Sequence, residues 1–229
     1  MTTSGTTAFS MDFTEIVEES FERAGSESRT GYDLKTARRS LNLMLAGWAN
    51  LGINLWAIEQ GTIPLVAGTA TYTLPTDTVD LIDHVIRTGS GSASMQADIT
   101  CSRISSSTYA TIPNKLSQAR PLQIWIQRLI APQVTVWPVP DNAQTYTLVY
   151  WRLRRLQDAG NGADTQDVPF RFLPALVAGL AYHIALKIPG GLERVPMLQE
   201  QYSAALDLAM AEDREKATMR AVPRVGYIG

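Results

Sequence analysis

The sequence predicts an α+β fold: a helical bundle formed by the N- and C-terminal helices, an inserted antiparallel β-rich, sandwich-like section, and an extended C-terminal tail. Three observations predict it. Apolar residues recur at spacings of three and four near both ends of the chain, they alternate with a period of two between about residues 54 and 155, and residues 218–229 carry apolar groups with no periodic partner. The expected organisation is 1–52 for the N-terminal helices, 53–156 for the β-rich insertion, 157–217 for the C-terminal helices and 218–229 for the tail.

After a small, polar start, Asp12 or Thr14 is suited to cap a first helix carrying Phe13, Ile16, Val17, Phe21 and Ala24, and Gly25 stops it. Asp33 is the candidate N-cap of a second helix. Its apolar stripe is Leu34, Ala37, Leu41, Leu45 and Trp48, and Gly52 supplies the left-handed residue a helix C-terminus favours. Ile53, Trp56 and Ile58 then raise the β-branched and aromatic content, and Gly61, Pro64, Gly68 and Pro75 are expected to cut this stretch into short extended pieces. In the last of these, Tyr72 and Leu74 share one face and Thr71 and Thr73 the other.

Leu81, Ile82, Val85 and Ile86 form an extended run ended by the turn-rich GSGSAS, and Ser105–Ser107 lead into one helical turn stopped by Pro113. Leu122, Ile124 and Ile126 alternate with Gln123, Trp125 and Gln127. Val134 and Val136 form a short strand before WPVPDN, and Tyr146, Leu148 and Tyr150 alternate with Thr145, Thr147 and Val149 in another. Beyond the linker QDAGNGADTQD, Asp167 and Pro169 mark the start of a helix that is apolar almost all round from Phe172 to Lys187, as a central bundle element is. A PGG turn leads to a last helix with Val195, Leu198, Tyr202, Leu206 and Ala209 on one stripe. The charged run EDREK after it predicts a helix that outruns its own core.

At 229 residues, 45% apolar and 18% charged, the chain can bury a core without disulfides or metals. Its net charge of -2 argues against tight phosphate-directed DNA binding by a single copy. One cysteine, Cys101, excludes an internal disulfide and a multi-thiolate metal site, which suits a reducing cytoplasm. The N-terminus lacks the pattern of a secretory signal. The longest apolar run, interrupted by His183 and Lys187, falls short of the ~20 residues a bilayer span requires, so no membrane partner is expected.

No catalytic, cofactor-binding or metal-binding residue is assigned, and no cofactor. His84 and His183 lack a third ligand and read as packed histidines. Glu15, Glu18, Glu19 and Glu22 share a face of the first helix, an arrangement suited to hydrolysis if two carboxylates stand ~5–9.5 Å apart, but a wet helix face is the simpler reading. The loop GSGSAS matches neither a P-loop nor a nucleophile elbow. Arg152, Arg154 and Arg155 read as a solvated strand end with local pairs, Cys101 as inert, and the five tryptophans as core or interface rather than a stacking platform. In the tail, Val222, Pro223, Val225, Tyr227 and Ile228 read either as disordered or as a segment that docks on a partner protein.

The runs LNLMLAGWANLGINLW, GTATYTLP, NKLSQARPLQIWIQR, VTVWPVPDNAQTYTLVYW, VPFRFLPALVAGLAYHIALKIP and QEQYSAALDLAMAEDREKA together resemble the head-to-tail adaptor proteins of tailed bacteriophages. That family includes podovirus tail accessory factors and packaged-DNA-stabilising connectors. The order of these runs, with WPVPD and PALVAGLAYHIALK, carries the resemblance; the Ser/Gly-rich loop from Gly89 to Ser94 departs from it. It implies a non-enzymatic structural subunit of a homo-oligomeric ring, usually twelve copies, under the portal protein. Such a ring joins capsid to tail and helps retain packaged DNA, while double-stranded DNA passes its lumen without specific binding. It further implies that the tail residues Val222, Pro223, Val225, Tyr227 and Ile228 bind the portal, that the β-rich section faces a downstream tail or nozzle protein, and that the subunit is assembled in the host cytoplasm into the virion's head-tail junction. Two alternatives stand beside this: a virion-associated cell-wall (peptidoglycan) hydrolase using the first-helix carboxylates, and a tail-tube subunit.

Overall fold

The computed structural model describes residues 3–27, 31–52 and 55–213. The chain divides into two compact units, one drawn from both chain ends (up to Met44 and from Ala159) and the other from Leu45–Asp158. Helices and largely antiparallel sheets segregate between them, so the fold is α+β.

The first unit opens with α1 (Phe13–Ala24). Asp12 accepts the Glu15 backbone N–H at 2.8 Å and Glu15 Oε2 accepts the Asp12 N–H at 3.0 Å, a reciprocal capping box that satisfies two otherwise orphaned donors. At the other end Gly25, at φ +85°, donates its N–H to Glu22 O, and the five apolar positions of the expected stripe are all buried. The second helix, α2 (Gly31–Leu51), starts earlier than expected. Asp33 lies inside its first turn, where a carboxylate still complements the positive end of the helix dipole, and is not the N-cap.

The C-terminal helices are α4 (Leu173–Ala185) and α5 (Val195–Glu212), numbered after a short α3 in the β-rich unit. The start expected at Asp167–Pro169 is displaced. Pro169 instead precedes a 3-10 turn, Phe170–Phe172, and α4 begins beyond it with Pro174 in its first turn. A helix begun at Pro169 would place Pro174 in its interior, where the ring removes a hydrogen bond and meets the carbonyl four residues back.

Helix α4 is the centre of this unit, buried on nearly every side. Ser20 on α1 donates to Ile16 O at 2.6 Å and approaches Val177 O at 3.2 Å, so α1 and α4 pack closely through a small polar side chain. Gly179 is what lets two other helices approach. A Cβ there would lie 2.5 Å from Met44 Sδ on α2 and 2.7 Å from the Tyr202 ring on α5. The loop before α4 holds both neighbours: Phe13 N–H donates to Asp164 O at 3.0 Å, and Ala159 N–H to Asn42 Oδ1 at 2.6 Å.

The second unit contains β1 (Ile58–Leu65), β2 (Thr71–Thr73), β3 (Thr78–Thr88), β4 (Ala97–Thr100), β5 (Ser102–Arg103), α3 (Ser106–Ala110), β6 (Gln123–Gln127), β7 (Gln133–Trp137) and β8 (Tyr146–Arg154). They form two four-stranded sheets, ordered β1-β8-β3-β4 and β2-β7-β6-β5. Leu81, Ile86, Leu148 and Tyr150 from the first sheet and Ile124, Ile126, Val134 and Val136 from the second enter one apolar core, as in a sandwich.

Two features depart from the sequence reading. Strand β1 runs unbroken through Gly61 and Pro64, because it is an edge strand, where a missing N–H costs little, and because Gly61 is covered by a partner's ring. The pairing of β5 with β6 is parallel, Ser102 opposite Gln123, whereas every other named strand pair is antiparallel. The chain leaves the first sheet at Thr100 and enters the second at Ser102, with the buried Cys101 between.

Candidate functional site

The tail positions Val222, Pro223, Val225, Tyr227 and Ile228 lie outside the described residues, as does the charged run beyond Asp213. Within them, α5 ends at Glu212 and Asp213 is buried, ion-paired to Arg171.

The carboxylates of α1 have different surroundings. Glu15 is committed to the capping box, Glu19 pairs with Arg23 at 2.7 Å, and Glu18 and Glu22 are exposed to solvent. Among the described residues no three His, Cys, Asp or Glu side chains come together as a metal site, and no helix is long and apolar enough to cross a membrane.

Two of the three arginines after β8's aromatic segment, Arg152 and Arg154, are built into the sheet. Arg152, its side chain 11% exposed, donates to Asp77 at 2.5 Å, to Thr78 Oγ1 at 3.0 Å and to Glu59 at 2.8 Å, and Arg154 donates to Glu59 at 2.7 Å. The Arg152 hydrogen bond holds the Asp77 carboxyl below its ordinary value. Arg155 stays exposed, though its N–H donates to Asp77 O at 2.7 Å. A solvent-facing phosphate site is therefore not what these residues make.

His84, on β3, is half-buried with neither ring nitrogen hydrogen-bonded, and burial pushes its imidazole below the usual range. Burial likewise pushes the Cys101 thiol up to about 12, leaving it protonated and unreactive. Trp48 is core; Trp125 stacks on Tyr109 at 4.8 Å, and Trp137 donates to Asn114 O at 3.0 Å.

What the described surface does offer is contact area. In the helical unit an apolar groove of about 490 Å³ is lined by Phe9, Met11, Phe170, Leu173, Pro174 and Val177, with Phe9 and Phe170 each 77% exposed at its rim. A second groove on the far side of Pro174 is bordered by Leu208 of α5, also exposed. On α2, Tyr32, Lys35, Arg39 and Leu43 recur at helical spacing along the side opposite the buried stripe and are all exposed. In the β-rich unit the β6–β7 turn projects Leu129 and Ile130 into solvent. Large apolar side chains left uncovered in patches are the mark of surfaces that meet other proteins. Sequence reasoning passes over them because it weighs apolar residues for their place in a core; the signal for α2 is a second three-and-four spacing on its polar side.

A protein-family model described as SU10 adaptor protein matches residues 11–225. No curated protein matches the chain.

Proposed function

The chain belongs to the SU10 adaptor protein family, and is thus a phage head-to-tail adaptor; from that premise we propose that it works by assembly alone, without catalysis. Copies form a closed ring, twelve in number, under the portal protein, with a downstream tail or nozzle protein on the other side. The finished ring occupies the head-tail junction of the virion after assembly in the host cytoplasm. It helps retain packaged DNA, which passes through the lumen without specific binding. The tail, through Val222, Pro223, Val225, Tyr227 and Ile228, orders on the portal.

The observation that carries this reading is the family match across residues 11–225. The exposed apolar patches on both units support it, since a subunit that must meet lateral copies, a portal and a tail component needs uncovered surface on several sides. A near-neutral charge supports DNA passage without grip.

The test is the native mass of the purified chain alone and mixed with its portal, for the full chain and for one ending at Thr218. A ring or portal complex that forms with the full chain and is lost on truncation is the expected result. A chain that stays monomeric with the portal overturns the ring. Equal binding without the last residues overturns the role given to the tail.

A further inference from the structure

Two surfaces of the helical unit each carry a pair of like charges, and they are opposite in sign. On α1, Glu18 and Glu22 are exposed, one helical turn apart, and neither makes a side-chain hydrogen bond or ion pair among the described residues. On α2, Lys35 and Arg39 stand in the same relation, exposed, one turn apart and without an ion-pair partner among the described residues. Like charges at this spacing repel across the helix surface. A third cation worsens the second surface: the Lys187 ammonium, donating to Ser40 Oγ on α2, is pushed below its ordinary value by burial and then by Arg39.

The cationic face is also not purely polar. Tyr32 precedes Lys35 by three residues and Leu43 follows Arg39 by four, and the two are 74% and 68% exposed. Exposed Tyr32 and Leu43 on either side of the charge pair add apolar contact area to this face, as a polar-rimmed surface that meets another protein has.

We propose that the Tyr32–Lys35–Arg39–Leu43 face of α2 in one copy receives the Glu18–Glu22 face of α1 from the next copy, and that this contact repeats around the ring. The inference rests on the ring reading and specifies its lateral contact. Because the two faces lie on different helices, the pairing of one copy's acidic face with the next copy's basic face can propagate heterologously around a ring, as a cyclic assembly requires, instead of closing as a two-fold dimer. Each copy offers one acidic and one basic pair, so every pair in a closed ring is matched and the two repulsions are relieved together. Pairing across copies also explains why neither face has a partner among the described residues of its own chain.

The test uses full-length protein and two charge-reversed variants, Glu18→Lys with Glu22→Lys, and Lys35→Glu with Arg39→Glu. All four side chains are exposed, and circular dichroism and thermal melts confirm folding first. Assembly is read as native mass, alone and on portal rings isolated from the same virions. Each variant alone meets a neighbour of like charge and is expected to lose assembly, with at least a tenfold weaker association as an order of magnitude. An equimolar mixture of the two is expected to regain it as an alternating ring, because each reversed face then meets a complementary one. Wild-type assembly should weaken as salt rises from about 0.05 to about 0.5 M.

Variants that assemble alone as wild type does, or a mixture that fails to recover, overturn the contact while leaving the ring standing. Loss of portal or DNA retention by the Lys35→Glu, Arg39→Glu variant with its ring intact gives the basic face to another partner and equally overturns it. A wild type that assembles in neither condition overturns the ring reading itself.

Discussion

Gly61 on β1 lies directly beneath the ring of Tyr150 on β8: the two face each other across the strand pair, and a Cβ on Gly61 would come within 2.4 Å of Tyr150 Cζ. The absent side chain is the space the tyrosine occupies. Tyr150 in turn belongs to the core shared by both sheets.

Gly61→Ala is therefore expected to destabilise the β-rich unit by about 1–3 kcal/mol, the usual cost of overpacking, despite the higher strand propensity of alanine. Urea denaturation followed by tryptophan fluorescence measures it. In the background of Tyr150→Leu the same change should cost much less, and a coupling energy near zero would show that the ring is not the obstacle.

Arg152 bridges two carboxylates far from it in sequence, Glu59 on β1 and Asp77 just before β3. Arg152→Ala removes the cation held by Asp77 and leaves Glu59 with Arg154 alone, and is expected to cost about 2 kcal/mol. Because the folded-state value of Asp77 is held below its ordinary 3.8, its contribution is present above that pH and is lost as pH falls through the depressed folded value. Acid titration of stability should accordingly steepen below about pH 4, and Asp77→Asn should flatten that segment.

His84 titrates at the opposite end of the acid range. Its folded-state value is depressed from 6.5 by burial, so the unfolded chain binds the proton first and stability rises with pH between the folded and unfolded values. Acidification below about pH 6.5 is expected to destabilise the β-rich unit, since a charged imidazole must be accommodated in a half-buried site. His183 is shifted in the same direction, so the comparison needs His84→Leu, measured by amide exchange on β3 between pH 7 and 5. An unchanged pH profile in that variant would assign the effect elsewhere.

The Cys101 thiol, buried and pushed up to about 12, is expected to resist a thiol-specific reagent at neutral pH in the native protein and to react fully in denaturant. Rapid native labelling would mean that the crossing between the sheets opens readily.

The first helix is legible in the sequence almost to the residue because its signals are local: Asp12, Glu15 and Gly25 act within one turn of where they stand. The alternation in β6 and β8 is legible for the same reason. The features that stay hidden depend on distant partners. Gly61 and Pro64 read as breakers because nothing near them announces an edge strand or the covering Tyr150. Arg152 reads as solvated because Asp77 and Glu59 precede it by 75 and 93 residues. The proline at 169 outcompetes the one at 174 as a start signal, although only the second sits in the α-helix. Of the candidate site, the α1 carboxylates are visible and read as a wet face, whereas the exposed stripe of α2 escapes notice because its three-and-four spacing falls on the side opposite the apolar one, where Lys35 and Arg39 mask Tyr32 and Leu43.

The helix at the centre of the bundle is also made long after the first helix that packs on it. Helix α1 is complete at Ala24, yet α4, against which it packs, begins at Leu173. At bacterial translation speeds of about 5–20 residues per second, the apolar face of α1 waits on the order of ten seconds on the ribosome for its partner. All strands of the β-rich unit, from Ile58 to Arg154, emerge within that interval. The inserted unit can thus close its core while the flanking bundle is still unfinished, and the nascent chain's vulnerability to chaperone capture or aggregation is concentrated in its first two helices.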